Sequence, residues 1–547
     1  MTPPEALQKD EPLEWSVGKG TDVWTMFCAA IAGDVTTINT LLQKEPALVR
    51  SAYDYHTPMY FAVRENQPAA VKLLLQHGAS PTDSGTSDTL LQMAQDRGFT
   101  EIEELLQTAL TGHEKEDITA GEIIAEAIRE RNIEKVKALL NASPQLVHAR
   151  GAHTNQPIHW AVMTRQPDII DELLDRGADI NAQRADGARP LQLVNGDYGF
   201  RGWRDVPDTV PFSPRQILLH LLQRGADCDI CTASYIGDQE RVKQLLEQDP
   251  SLANRPSDYV TYYALSGTPL RNAAAAGHLA IVQLLLNYGA DPNLPEEGIA
   301  PRGHALHSAV CNGHIEVVKL LLEHGAYPNV PIESSADTLS AAMSRKDQPM
   351  IDLLCSWGAA RSVPLLAYFG DLPTAAAVFD ANPALANDVY ALECAAIEGH
   401  ELIVKLILRY HPTLAQKAAV GVNSQGPDAA IKNRAITDLL FKHGMNPNHR
   451  NWLGITPLHR FAARGDIQNA AIFIEQGADI NARDQELSST PLAWAAKAGK
   501  KEMVAFLLQQ GARINLPDDP KWATPIAWAT RSNHPEIVKM LAEYPAI

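Results

Sequence analysis

The sequence predicts a mainly α fold, a curved solenoid of stacked antiparallel helix pairs joined by β-hairpin loops. Three observations predict it. Thr456-Pro457-Leu458-His459 returns 34 residues later as Thr490-Pro491-Leu492-Ala493 and after another 34 as Thr524-Pro525-Ile526-Ala527. A second marker keeps phase with it, as in Gly289-Ala290-Asp291-Pro292-Asn293 and Gly477-Ala478-Asp479-Ile480-Asn481. Between the two runs an apolar ridge such as Ile281, Val282, Leu284, Leu285 and Leu286, at helical spacing. A fixed period of this length means that each unit is one supersecondary element that buries its ridge only against neighbours.

Each element of the unit has a local cause. The Thr hydroxyl caps a helix whose first residue is Pro, where no N–H is needed and φ is already set. Small residues such as Ala273, Ala274, Ala495 and Ala496 let that helix lie close to its neighbours. Gly277, Gly313, Gly399 and Gly499 break it. The ridge-bearing second helix follows, and a Gly after it supplies the left-handed C-cap that turns the chain into a hairpin. Earlier starts are Thr57-Pro58-Met59-Tyr60, Gln156-Pro157-Ile158-His159 and Thr268-Pro269-Leu270-Arg271.

These residues resemble the ankyrin repeat family, whose pattern is a Thr-Pro-Leu-His start, an Ala-Ala pair, a Gly-His break, an Ile-Val-x-Leu-Leu-Leu ridge and a Gly-Ala-Asp-x-Asn turn. The resemblance covers nearly the whole chain, in about sixteen units. Stretches 88–110, 123–147 and 363–387 lack most of the pattern, and 421–448 is degenerate. A variant turn with Pro recurs at Pro46, Pro144, Pro250 and Pro383. It divides the array into an N-terminal cap, 1–21, and four blocks, 22–118, 119–230, 231–362 and 363–547, the last including the C-terminal cap. Block-wise bending is expected at these turns.

Composition narrows the function. Lys and Arg number 47 against 65 Asp and Glu, a net charge of −18, the wrong sign for neutralising phosphates. Nucleic acid and anionic membranes are therefore not expected partners. Six cysteines in 547 residues are too sparse for a disulfide framework. The polar, acidic start and the lack of a long apolar run point to a soluble, cytoplasmic chain.

The resemblance implies a non-catalytic scaffold that binds a partner protein or peptide on its concave groove, and the acidic balance favours a partner with a basic patch. It also implies that the two positions before each break face that groove. Charged pairs stand there near the start, Arg64/Glu65 and Asp96/Arg97, and single charges near the end, Arg464, Lys497 and Arg531. The middle is apolar or aromatic: Met163, Tyr235, Ile236, Tyr368 and Phe369. The one large insertion, 198–212, adds Tyr198, Phe200 and Trp203, and a neighbouring hairpin adds Tyr259, Tyr262 and Tyr263. With Arg271 and Arg302 these form the expected binding site, the insertion acting as a lid.

Two alternatives accompany this reading. One is an enzyme or small-molecule binder that grips an acidic ligand under the 198–212 loop with Arg189, Arg201, Arg204, Asp205, Arg271, Arg302 and His304. The other is a structural spacer or assembly subunit. No cofactor and no metal is expected: His304-x-x-His307 has no third ligand nearby in sequence, and Cys228-x-x-Cys231 lacks a second pair. His159, His307 and His459 at the starts, and His278, His314 and His400 at the breaks, are read as structural.

Overall fold

Capping chemistry sets the repeating unit. Thr57, Thr268 and Thr524 each accept the amide of the residue three positions on, at 3.2 Å, and Pro58, Pro269 and Pro525 open the helices behind them. The second helices have their own caps, Asp34, Asp238, Asp347, Asp371 and Asp466, whose carboxylates accept first-turn amides. Such caps are each worth about 1 kcal/mol. The helix Leu279–Asn287 buries Ile281, Val282, Leu285 and Leu286 against the preceding helix, where Ala273 and Ala274 are fully buried. The computed structural model describes residues 1–82, 88–110, 115–151, 154–197, 199–263, 265–332, 337–419 and 433–544, with backbone alone for 115–120.

Two side-chain ladders stitch unit to unit. At the break, the His opening one second helix reaches back to a carbonyl in the preceding unit: His278 to Tyr235 at 3.0 Å, His314 to Ala275 at 3.2 Å and His400 to Tyr368 at 2.9 Å. Where the His is replaced, another donor does the same work, Gln67 on Ile31, Gln166 on Ile128 and Arg345 on Cys311. The imidazole lies so close that a Cβ on Gly277, at φ 75°, would sit 2.6 Å from the ring of His314. At the hairpin, Asn293 donates to the Gly325 carbonyl at 2.8 Å and accepts the Tyr327 amide at 2.9 Å. Asn254, Asn329 and Asn448 repeat that pair of bonds.

The mainly α solenoid is as expected, with one refinement. The described hairpins hold isolated antiparallel bridges, Tyr53 to His56 and Glu296 to Ala300, and no continuous strand. Stretches that lack the motif still form helix pairs, Leu90–Arg97 with Thr100–Leu110 and Val363–Phe369 with Leu372–Ala381. There the ridge alone suffices: Leu90, Met93, Ala94, Ile102 and Leu106 are buried. The Pro variants are 3-10 turns, Pro46–Arg50, Pro144–His148, Pro250–Asn254 and Pro383–Ala386. In the unit carrying the insertion, a 3-10 turn, Pro190–Leu193, stands in place of the first helix.

The core is not laid out in chain order. One continuous buried cluster runs from Leu7 to Leu106 and then from Leu366 to Leu541, while residues 124–265 and 230–365 form clusters of their own. The superhelix therefore brings its last units onto its first. Trp452 makes the join: its ring lies 6.5 Å from Phe27, 5.6 Å from Tyr53, 5.4 Å from His56 and 5.9 Å from Phe61. Its indole N–H donates to Asp54 at 3.2 Å.

Candidate functional site

The expected central site comes apart into three groups. Met163, Tyr259 and Arg271 do not face a groove: they are 0%, 6% and 3% exposed. The reason is local in each case. Met163 ends a helix buried along its whole length, and Tyr259 belongs to the core of its block. Arg271 ties down the tyrosine hairpin, donating to the Thr261 carbonyl at 2.6 Å, to the carbonyls of Tyr262 and Tyr263, and to Glu296 at 2.8 Å. Glu296 is itself buried; Arg271 holds its carboxyl below the usual carboxylate range against the cost of burial.

Phe200, Tyr235, Ile236, Tyr262, Tyr263 and Phe369 are half-buried. Tyr235, Ile236 and Phe200 pack on the second-block core, Phe200 edge-on to Trp160 at 5.8 Å. Trp203, Arg302 and Tyr368 are exposed, and Tyr198 lies outside the described residues. The insertion is tied to the unit before it, since Arg165 donates to the Gly202 carbonyl at 2.9 Å. Tyr368 and Phe369 meet edge-on at 5.0 Å. Sequence reasoning missed Tyr390, 66% exposed on the next first helix and near enough to Tyr368 to feel its charge.

The arginine cluster of the small-molecule reading does not converge. Arg271 is sealed as described, Arg189 pairs with Asp227 and Asp258, and Arg204 pairs with its neighbour Asp205. His304 bonds Glu296 at 3.3 Å, and burial pushes it down to about 4, so its ring is neutral. Cys231 is buried with its thiol on the Gly267 carbonyl, and burial pushes the Cys228 thiol up to about 11. The start histidines His159 and His459 bridge as read, each between its own helix start and a carbonyl in the next hairpin, Ala182 and Ser489.

The charged groove positions of the two ends meet each other instead. Lys497 pairs with Asp88 at 2.9 Å and Arg531 with Asp96 at 3.4 Å. Arg97 donates to the carbonyls of Arg64 and Glu486, at 2.7 and 3.0 Å, and stacks 4.3 Å from Trp522. Behind these contacts lies a cavity of about 400 Å³, lined from the first block by His56, Tyr60 and Met93 and from the last by Arg460, Glu486 and Trp494. Burial, with Asp484 beside it, pushes the Glu486 carboxyl up to about 7. One sequence signal pointed here: Tyr60 occupies the start position that elsewhere carries the bridging His.

Family models described as ankyrin repeats (3 copies) match residues 90–184, 217–332, 427–518 and 473–547, and one described as ankyrin repeat matches 54–85. Among curated proteins, a palmitoyltransferase, ZDHHC13 of Mus musculus, is 28% identical over 176 residues, 32% of this chain and 28% of that protein. A probable E3 ubiquitin-protein ligase, XBOS32 of rice, is 28% identical over 193 residues, 31% of this chain and 38% of that protein. A serine/threonine-protein kinase, VIK of Arabidopsis thaliana, is 27% identical over 170 residues, 26% of this chain and 38% of that protein. The matched stretches thus span 28% to 38% of these relatives. Among the described residues no helix is long and apolar enough to cross a membrane.

Proposed function

Because the chain belongs to the ankyrin repeat family, we propose that it is a non-catalytic scaffold holding a partner protein or peptide on the exposed row of its first helices. The observation that supports this is the aromatic group Tyr368, Phe369 and Tyr390. Tyr368 and Tyr390 are 47% and 66% exposed on adjacent units, where most first-helix side chains are buried. Exposed aromatics clustered on a rigid surface are the usual anchors of interfaces. Tyr235, Ile236, Phe200, Trp203, Tyr262, Tyr263 and Arg302 extend the surface toward the second block. With a net charge of −18, the partner that fits presents a basic segment, because opposite charge speeds encounter and penalises wrong partners. Six free thiols suit a reducing compartment, and we place the protein in the cytoplasm.

The test is affinity capture from the cells that express the chain, using the wild type, Tyr368→Ala with Tyr390→Ala, and Trp357→Ala as a control exposed elsewhere. A basic partner retained by the wild type and the control, and weakened roughly 30-fold (about 2 kcal/mol) in the double variant, is the expected result. Undiminished capture by the double variant removes this surface from consideration.

A further inference from the structure

The cavity between the two ends carries an inference that is independent of the docking surface. Its walls come from residues some 400 positions apart: His56, Tyr60 and Met93 on one side, Arg460, Glu486 and Trp494 on the other. Two of its polar groups are buried without a hydrogen-bond partner among the described residues. Tyr60 is 0% exposed and its hydroxyl bonds nothing among the described residues. His56 is 3% exposed, and only its Nδ1 is engaged, on the Asp54 carbonyl at 2.6 Å. Because a carbonyl can only accept, Nδ1 carries the proton, and in the neutral ring Nε2 is left as an acceptor. Burial keeps that ring neutral.

A guanidinium and a carboxyl face the same space without meeting. Arg460 lies over the Trp494 ring at 5.5 Å, and its Nε is buried with no hydrogen-bond partner. The Glu486 side chain makes no ion pair among the described residues, yet its carboxyl feels the Arg460 charge. They are therefore near but beyond bonding distance. The other charged groups lining the space are engaged by the protein, Lys497 with Asp88, Asp96 with Arg531, Arg97 on two carbonyls and Asp54 with Trp452. A buried polar group left unpaired costs about 1–3 kcal/mol and a charge more, so the two donors and two acceptors that remain are complementary to something that carries both charges itself.

We propose that the seam cavity binds a small zwitterion of the α-amino-acid type. Its carboxylate takes the Arg460 guanidinium and the Tyr60 hydroxyl; its ammonium takes the Glu486 carboxylate and His56 Nε2. An apolar side chain then lies against Met93, Leu487 and the Trp494 face, which also line the space. A volume of about 400 Å³ is at the small end of ligand pockets and admits a free amino acid with a large side chain or a dipeptide. Bound there, the ligand bridges the first units to the last and stabilises the closed superhelix.

The test uses the full chain and thermal unfolding with each of the common free L-amino acids, at roughly 10 mM, and a set of unmodified dipeptides. At least one is expected to raise the melting temperature in a saturable way. Its N-acetyl and C-amide forms, each lacking one charge, are expected to bind roughly tenfold or more weakly by calorimetry, as is the parent to Arg460→Met or Glu486→Gln. Tyr60→Phe changes no volume-filling group and gives the same reading, a loss of several-fold, should an Arg460 variant fail to fold. No response to any amino acid or dipeptide overturns the proposal, and so does equal binding of the capped and uncapped forms.

Discussion

Arg271 stands at a start position that elsewhere carries His, and its chemistry shows why the exchange is not neutral. It is 3% exposed and shares Glu296 with His304 in a site closed to water. Removing one member of such a pair leaves a buried charge. Arg271→Met is accordingly expected to destabilise the chain by about 3–5 kcal/mol, with much of the loss recovered when Glu296→Met is added. Denaturant unfolding of the single and double variants measures it; additive losses would contradict the pairing. The buried histidines set a pH dependence. His159 and His304 are pushed from 6.5 down to about 4 by burial, so folding favours their neutral rings. Their stabilising contribution is complete above about pH 6.5 and lost as pH falls toward 4, on the order of 3 kcal/mol each. Glu296, held low, loses its contribution at still lower pH, so the two effects add. In a Glu486→Gln background, which removes a carboxyl that titrates in the opposite sense over this range, proton uptake measured during acid unfolding should begin below pH 6.5; a stability flat from pH 7 to 4 would contradict it.

At the scale of the element, the break is where one helix pair is fixed to the next. Gly277 has φ 75°, and its missing Cβ leaves room for the His314 ring, whose Nε2 bonds the Ala275 carbonyl at 3.2 Å. Gly277→Ala is expected to cost about 1–2 kcal/mol through the left-handed backbone and the clash together. Adding His314→Ala should relieve the clash and leave only the backbone part, so the two losses should sum to more than that of the pair, a difference that thermal melts of the three variants detect. This much was legible in the sequence, because Gly, His, Thr-Pro and the ridge act over a few residues. The same locality explains what was not. Met163 stands at the groove offset from its break, with Arg165 at φ 55° where the offset places it, but the helix it ends is buried along its whole length. Glu296 gave no sign that it closes on Arg271, because hairpin tips are commonly polar.

For the whole molecule the decisive fact is that the ends meet. Small rotations accumulate over many units, and no short stretch of sequence encodes their sum. The charges at positions 96, 97, 497 and 531 were readable, whereas their partners, about 400 residues away, were not. Trp452 carries much of the join through four aromatic contacts. Trp452→Ala is expected to cost about 3 kcal/mol and to raise the radius of gyration in small-angle scattering as the seam opens; an unchanged radius would assign the closure elsewhere. Glu486 makes the seam pH-sensitive. Its carboxyl is crowded by burial and by Asp484, Asp54 and Asp88, with Arg460 opposing, while neutral His56 faces the same cavity. A carboxyl raised from 4.5 to about 7 contributes stability fully below pH 4.5 and loses it as pH rises through 7. Glu486→Gln should therefore match the wild type near pH 4.5 and exceed it at pH 8.

The closure itself is tested most directly by zero-length carbodiimide cross-linking of the unmodified monomer, followed by peptide mapping. Lys497 and Asp88, 2.9 Å apart, should be joined by an amide within one chain, as readily as the neighbouring-unit pair Lys501 and Glu536. Formation of the second link without the first would mean that the solenoid is open in solution and that the cavity between its ends does not exist.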